Sequence, residues 1–419
     1  MSSIARFRKT LNQWGLTDIP FHATPPEDPA LLSRLFHGRQ HELDLVLPTL
    51  YEGRNVLVRG LWGVGKTMFI LYLLHHLQRE TAKLREPMLI LYIGRFPGET
   101  SEDMYQALLL PLSETLAEVD PEARRVQDAL RGLQITHSHR SQIEGKVDLK
   151  FFSFGGSRGH EQEREWEIQN AYNVLLRLLD IAQKRYGKII LAIDDLDKKA
   201  PRAVKDLLDD ATDLLRRGQG KRSFLLTGRF TSALRDTSDQ MLGLFSENIT
   251  LDRMSTEDLL YIAINYLNIA RKRPSGEVTP FTSKVIAQIA EHAYHIPRQF
   301  NMICEKVMRR GAMSSVEQIN EETFASLWKS VQNEFALELT PDIRRLLYVA
   351  KSSGGLSADI DDATLEKLGV ETFVELLPML KSLEGDLLIR QEDGRLLPSP
   401  FLPGEADSEP TVSGIDSSS

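Results

Sequence analysis

One octapeptide restricts this chain more than any other feature: Gly60-Leu61-Trp62-Gly63-Val64-Gly65-Lys66-Thr67. It lies between an apolar run, Asn55 to Arg59, and a strongly apolar helical stretch, TMFILYLLHHL. Glycines at this spacing let backbone N–H groups turn inward around an anion. The helix that follows aims its positive end at the same point. The pattern G-x-x-x-x-G-K-[ST] has this meaning only after a strand and before a helix, and both are expected here. Strand, loop and helix begin an α/β unit, so a parallel sheet covered by helices is the expected core. Lys66 should reach the β- and γ-phosphates of a bound nucleotide, and the Thr67 hydroxyl should bind Mg²⁺. Gly60, Gly63, Val64, Gly65, Lys66, Thr67 and Met68 form the expected cradle.

A second signal is Ile189 to Asp195, IILAIDD. A bare carboxylate at the end of a buried strand is costly, and a metal ion held with Thr67 would offset that cost. Asp194 is the expected metal-side carboxylate, and Asp195 sits where it could polarise an attacking water. Asp is also a preferred helix N-cap, which is the other reading of the pair. No N-K-x-D guanine motif is present. Ser352-Ser353-Gly354-Gly355 lies far downstream of the acidic pair, where a transporter signature would not stand. The expected nucleotide is therefore ATP.

The rest of the chain sets the frame. Its 419 residues suggest two or three domains. A balance of 51 basic against 59 acidic residues disfavours a surface devoted wholly to nucleic acid. One cysteine, Cys304, excludes an internal disulfide and a cysteine-based zinc site. No run approaches a membrane span, and the start lacks an apolar signal core, so a cytoplasmic protein is expected. Residues 1–30 read as an arm, with Pro25, Pro26 and Pro29 resisting regular structure. A helical pattern then starts at Leu31. Further strands are expected at Met88 to Ile93, Ile189 to Ile193 and Ser223 to Thr227, within a core of residues 31–250. Residues 135–165 read as a β-hairpin insertion built on KVDLKFFSF. Ile168, Ala171, Tyr172, Leu175, Leu178, Leu179 and Ala182 fall at helical spacing. After about residue 250 only helices are expected, through 332. A hairpin turning at Asp393-Gly394 and a disordered tail at 403–419 close the chain.

Several motifs in order resemble those of AAA+ ATPases: Phe36-His37-Gly38-Arg39-Gln40, the octapeptide, IILAIDDLD, Phe224 to Arg229, and His295-Ile296-Pro297-Arg298. The likeness is to origin-recognition initiators, transposition regulators of the TnsC type and STAND signalling ATPases. It implies an α/β P-loop core, a helical lid at 251–332 and ATP bound between the two. It also implies that Gly38 and Arg39 lie against the adenine, and that Arg229 and Arg298 sense the γ-phosphate. Asp195 stands where the family usually has glutamate. The shorter side chain suggests slow hydrolysis, which suits a switch better than a motor. Arg235 and Arg253 are the candidates for an arginine finger.

Residues 333–402 resemble a winged helix. From Glu334 to Leu402 there are seven basic and thirteen acidic residues, a net of about -6, so its use on DNA is disfavoured. Basic clusters stand elsewhere, at Arg216-Arg217 with Lys221-Arg222, at Arg271-Lys272-Arg273 and at Arg309-Arg310. The expectation is an ATP-dependent, oligomerising switch that acts on a protein partner. The alternative is an ATPase loaded on DNA through those clusters.

Overall fold

The structure is a computed structural model that describes residues 2–95, 100–132, 149–153, 171–196, 201–228, 243–391 and 393–403. The chain divides into two compact units. One comprises Pro25–Gly60 and Gly65–Asp252; the other comprises Met1–Thr24, Leu61–Val64 and Arg253–Ser419.

The first unit is built on a six-stranded sheet. Its strands are β1 (Asn55–Gly60), β2 (Met88–Arg95), β3 (Leu149–Ser153), β4 (Lys188–Ile193), β5 (Arg222–Gly228) and β6 (Phe245–Leu251). Their order is β3-β2-β4-β5-β1-β6, and every pairing is parallel. The apolar run Ile189 to Ile193 becomes β4 between β2 and β5, buried along its length. Continuous apolar strands suit a parallel sheet whose two faces are covered by helices. The Ala171–Tyr186 helix buries Ala171, Leu175, Leu178, Leu179 and Ala182 of the expected stripe; Tyr172 is half-buried, and Ile168 lies outside the described residues.

Asn55 ties the start of β1 to its neighbours. It is fully buried, donates from Nδ2 to the carbonyls of Leu215 (2.8 Å) and Leu244 (3.2 Å), and accepts from the Phe224 N–H (2.9 Å). One side chain thus supplies partners to three main-chain groups.

Three local expectations change. The helical pattern from Leu31 is two helices, Pro29–Leu35 and Gln40–Tyr51. The break falls where Gly38 and Arg39 take left-handed backbone angles, φ 72° and 63°. Residues 149–153, expected in a hairpin, form β3 parallel to β2, with Ile90 beside Leu149 and Ile93 beside Phe152. The rest of 135–165 lies outside the described residues. Finally, β6 was not anticipated. It is an edge strand with exposed or half-exposed Ser246, Glu247, Asn248 and Thr250, so no continuous apolar run announces it.

The second unit is helical. Up to residue 340 its described helices are Ser3–Gln13, Thr256–Ala270, Ser283–His292, Pro297–Met313 and Glu321–Glu338. Local chemistry sets several of their starts. Ser255 and Asp258 form a capping box, and Thr282 and Asn320 cap with their side chains. Residues 1–24, read above as part of an arm, are anchored by side chains. Trp14 is buried, and its Nε1 donates to the carbonyls of Val316 (3.0 Å) and Glu317 (2.9 Å). Phe21 stacks on Tyr266 with ring centroids 5.4 Å apart. Beyond residue 340 come the helices Pro341–Ser352, Asp362–Leu368 and Phe373–Leu383, then the antiparallel pair β7 (Leu388–Arg390) and β8 (Leu396–Pro398). Their hairpin turns at Asp393-Gly394 as expected, with Gly394 at φ 88°. Leu356 adds a bridge to Leu396. Among the described residues no helix is long and apolar enough to cross a membrane.

Candidate nucleotide-binding site

The octapeptide follows β1 and leads into the Lys66–Leu84 helix, as its sequence predicts. Gly65 stands at the N-cap with φ 100°, and no side chain caps this helix. The helices at Thr256, Ser283 and Glu321 all have a Ser, Thr or Asn side chain on their first N–H groups. At Lys66 those groups have no side-chain cap, which is the condition for holding an anion there. Lys66 is 6% exposed, and its Nζ donates to the Gly60 carbonyl at 2.9 Å. The ammonium is therefore held back over the loop that should receive phosphate.

Asp194 ends β4 and is fully buried. Thr67 Oγ1 donates to its Oδ2 at 2.7 Å. Tyr92 OH donates to the same oxygen at 3.2 Å, and Thr227 Oγ1 donates to Oδ1. Burial raises the Asp194 carboxyl above the usual carboxylate range, and the neighbouring Asp195 raises it further. The hydroxyls of Thr227 and Thr67 and the charge of Lys66 oppose that rise. Burial, with Asp194 next to it, pushes the Tyr92 phenol well up. Tyr92 and Thr227 were not identified from sequence. Each is a polar residue just after an apolar run within its strand, and that was the available signal.

Asp195 is half-buried and takes a left-handed φ of 60°, uncommon for a residue with a Cβ. Its N–H donates to Asp194 Oδ1 (2.9 Å) and to Thr227 Oγ1 (3.2 Å). The same threonine therefore links the two acids. A buried carboxylate beside a helix-start hydroxyl offers two oxygen donors to a hard divalent cation. A cation there would also relieve the cost of ionising Asp194. The residues fit Mg²⁺ with a nucleotide phosphate on Lys66.

The other expected residues fall as follows. Gly38 and Arg39 form the left-handed break before Gln40. The Arg39 guanidinium donates to Glu42 (3.2 Å) and to the Asp252 carbonyl. Leu61–Val64 cluster with the helical unit. There the Arg298 N–H donates to the Gly63 carbonyl at 3.2 Å, and its guanidinium lies 5.1 Å from the Trp62 ring centroid. Gly63 has φ 85°, and a Cβ on it would lie 2.9 Å from Ile296 Cγ2. Arg229 and Arg235 lie outside the described residues. Arg253 donates to the Gln391 side chain.

The basic clusters are partly committed within the chain. Arg222 is buried against Asp180 and Gln183. Arg271 donates to the Asn268 side chain and to the carbonyls of Ser275, Glu277 and Thr279. Arg309 pairs with Glu305, and Arg310 with Glu334. Arg216, Lys221, Lys272 and Arg273 are exposed.

Residues 35–226 match the family model of the AAA ATPase domain. No curated protein sequence matches the chain. Solved structures with a similar course include the ORC2 protein of Aeropyrum pernix in ADPNP and ADP complexes. It is 15% identical, covers 89% of this chain and 92% of its own, and has a TM-score of 0.48. The Aeropyrum pernix ORC1 protein in complex with DNA is 14% identical over 87% and 90%, with a TM-score of 0.49. The Holliday junction branch migration motor RuvB of Thermotoga maritima is 16% identical over 86% and 92%, with a TM-score of 0.43.

Proposed function

Taking residues 35–226 as an AAA ATPase domain, we propose that the protein is an ATP-dependent switch. It binds ATP with Mg²⁺, hydrolyses it slowly, assembles with its own copies and controls a protein partner. The observation that carries the nucleotide part is the 2.7 Å bond from Thr67 to the buried Asp194, beside an uncapped helix start and Lys66.

Lys66 turns from the Gly60 carbonyl to phosphate oxygens. Thr67 and Asp194 would hold Mg²⁺, and Asp195 would accept the proton of the water that attacks the γ-phosphate. When bound, Mg²⁺ neutralises charge on the phosphate oxygens. Asp195 is one methylene shorter than glutamate, and this supports slow turnover. Arg298 and Arg229 are assigned to reading the γ-phosphate, because loss of that group removes charge-assisted bonds. Gly38 and Arg39 are assigned to the adenine side.

The three helices and the hairpin after residue 340 support the winged-helix reading. Its net charge of about -6 favours a protein partner over DNA. The second reading, loading on DNA, is supported by exposed Arg216, Lys221, Lys272 and Arg273, but Arg222, Arg271, Arg309 and Arg310 are already engaged.

Light scattering with ATP, with ADP and with ATP plus duplex DNA tests both readings, alongside phosphate release. Wild type should grow with ATP alone, and Lys66→Ala should neither grow nor release phosphate. Growth that requires DNA favours the second reading. Phosphate release by Lys66→Ala at the wild-type rate would remove the site from the chemistry.

A further inference from the structure

Ten large apolar side chains are exposed among the described residues, and three of them lie on the eleven-residue Phe373–Leu383 helix. Val374 is 69% exposed, Leu377 48% and Met379 38%. Pro378 is exposed among them. The opposite side of this helix, with Leu376, Leu380 and Leu383, is buried in a local core with Leu347 and Leu356. The helix is thus fully anchored on one side and leaves an apolar strip on the other. Acids stand at the start of that strip, and exposed Lys381 stands two turns after Val374. Glu371 and Glu375 are exposed at its start, and Asp359, Asp361, Asp362 and Glu366 are exposed on the preceding segment. An apolar strip that starts among carboxylates repels phosphate and suits an apolar surface bordered by cations.

The chain itself carries a cationic helix with one exposed large apolar side chain. The Ser3–Gln13 helix buries Thr10 and Leu11, while Arg6, Arg8 and Lys9 face solvent. Ile4 is 70% exposed on the same helix. The first seventeen residues hold these three cations and no acid. Both helices are anchored in their own fold, and both faces are exposed among the described residues.

We propose that these two faces meet between copies: the Ile4–Arg8 face of one molecule docks on the Val374–Leu377 strip of the next. The inference rests on the assembly reading given above and specifies its contact. Two different patches in contact make a head-to-tail interface, which closes into a ring or extends as a filament according to the rotation between copies. Ile4 and the strip exclude water from each other. Arg8 and its neighbours pair with Glu371 and Glu375 at the rim, which sets register more than strength.

The test uses the full chain with ATP and follows mass against concentration by light scattering. The variants are Arg8→Glu, Glu371→Arg, Val374→Asp and the pair Arg8→Glu with Glu371→Arg. Leu84→Asp, at another exposed apolar position, controls for general surface effects, and circular dichroism checks that each variant is folded. Each single change in the two faces should raise the assembly midpoint by about tenfold or more. The charge-swapped pair should recover toward wild type, and Leu84→Asp should not shift it. Singles that assemble as wild type does would overturn the proposal. So would weakened singles with no recovery in the pair. Loss of DNA binding in Arg8→Glu with unchanged assembly would reassign the helix to nucleic acid. If wild type stays one size under ATP, the assembly reading fails as well; if only the variants behave unexpectedly, this contact alone fails.

Discussion

At the scale of single residues, Asp194 is the most exacting position. It is fully buried, accepts three hydroxyl hydrogen bonds, and has its carboxyl raised by burial and by Asp195. A carboxyl held above its unfolded value, about 3.9, favours the fold most when protonated. That contribution is complete at acid pH and is lost as pH rises through the raised value. Near neutrality the charge is therefore a burden on the nucleotide-free protein. Asp194→Asn should raise the melting temperature without nucleotide and abolish the further rise on adding Mg²⁺ and ATP. Thermal melts with and without the ligands read both effects, and a lower melting temperature for the unliganded variant would refute the first. Asp195 is proposed as the base that takes a proton from water. Asp195→Asn should slow phosphate release by about a hundredfold while leaving ATP affinity nearly unchanged, as loss of a base does. A nucleotide-binding titration beside a turnover assay separates the two, and unchanged turnover would mean the water is positioned by another group.

Elements depend on which partner each strand meets. β4 is apolar from Ile189 to Ile193, whereas β1 begins with a buried polar residue. Asn55 serves the Leu215 and Leu244 carbonyls and the Phe224 N–H. Removing its side chain leaves buried groups without partners, at about 1–3 kcal/mol for each group left unsatisfied. Asn55→Ala should therefore cost about 3 kcal/mol or more, measured by urea unfolding followed in the far ultraviolet. A loss below about 1 kcal/mol would show that water or a shifted backbone replaces those bonds. The same scale explains the break before the Gln40–Tyr51 helix. Two successive left-handed residues, Gly38 and Arg39, cannot continue a right-handed helix, so the chain turns there despite unbroken apolar spacing.

For the molecule as a whole, the helical unit joins residues 2–24 to residues from 253 onward, with Trp14 and Phe21 among its buried aromatics. His292 sits in an aromatic group there, with ring centroids 5.9 Å from both Phe324 and Trp328. Burial, and then the charge of Lys351, hold its imidazole below the ordinary value, while Glu291 opposes them. A lowered imidazole favours the fold in its neutral form. That support is complete above about pH 6.5 and is lost as pH falls through the lowered value. His292→Phe should make the loss of stability between about pH 7 and pH 5 shallower than in wild type. Burial lowers His75 in the other unit as well, so the comparison is of variant with wild type at each pH. Identical slopes in the two proteins would show that His292 finds a compensating partner when charged.

What the sequence determined by itself was local. Glycine spacing, a lysine and a threonine marked a strand, a tight loop and a helix start, because turn geometry and a helix start are set by adjacent residues. The apolar run before Asp194 announced a buried strand, and helical spacing marked Ala171 to Ala182. Asp393-Gly394 announced its own turn. Tertiary structure alone decided which distant groups meet. Tyr92 and Thr227 reach Asp194 only because β2 and β5 flank β4. Residues 149–153 pair with β2, and the polar edge strand β6 pairs with β1, through backbone groups that every residue carries. Arg222 and Arg271 read as free cations in a basic cluster, yet packing buries one on Asp180 and sets the other among carbonyls. Periodicity and turn codes act over a few residues. Hydrogen bonds and ion pairs between remote residues depend on topology, which no short stretch of sequence encodes.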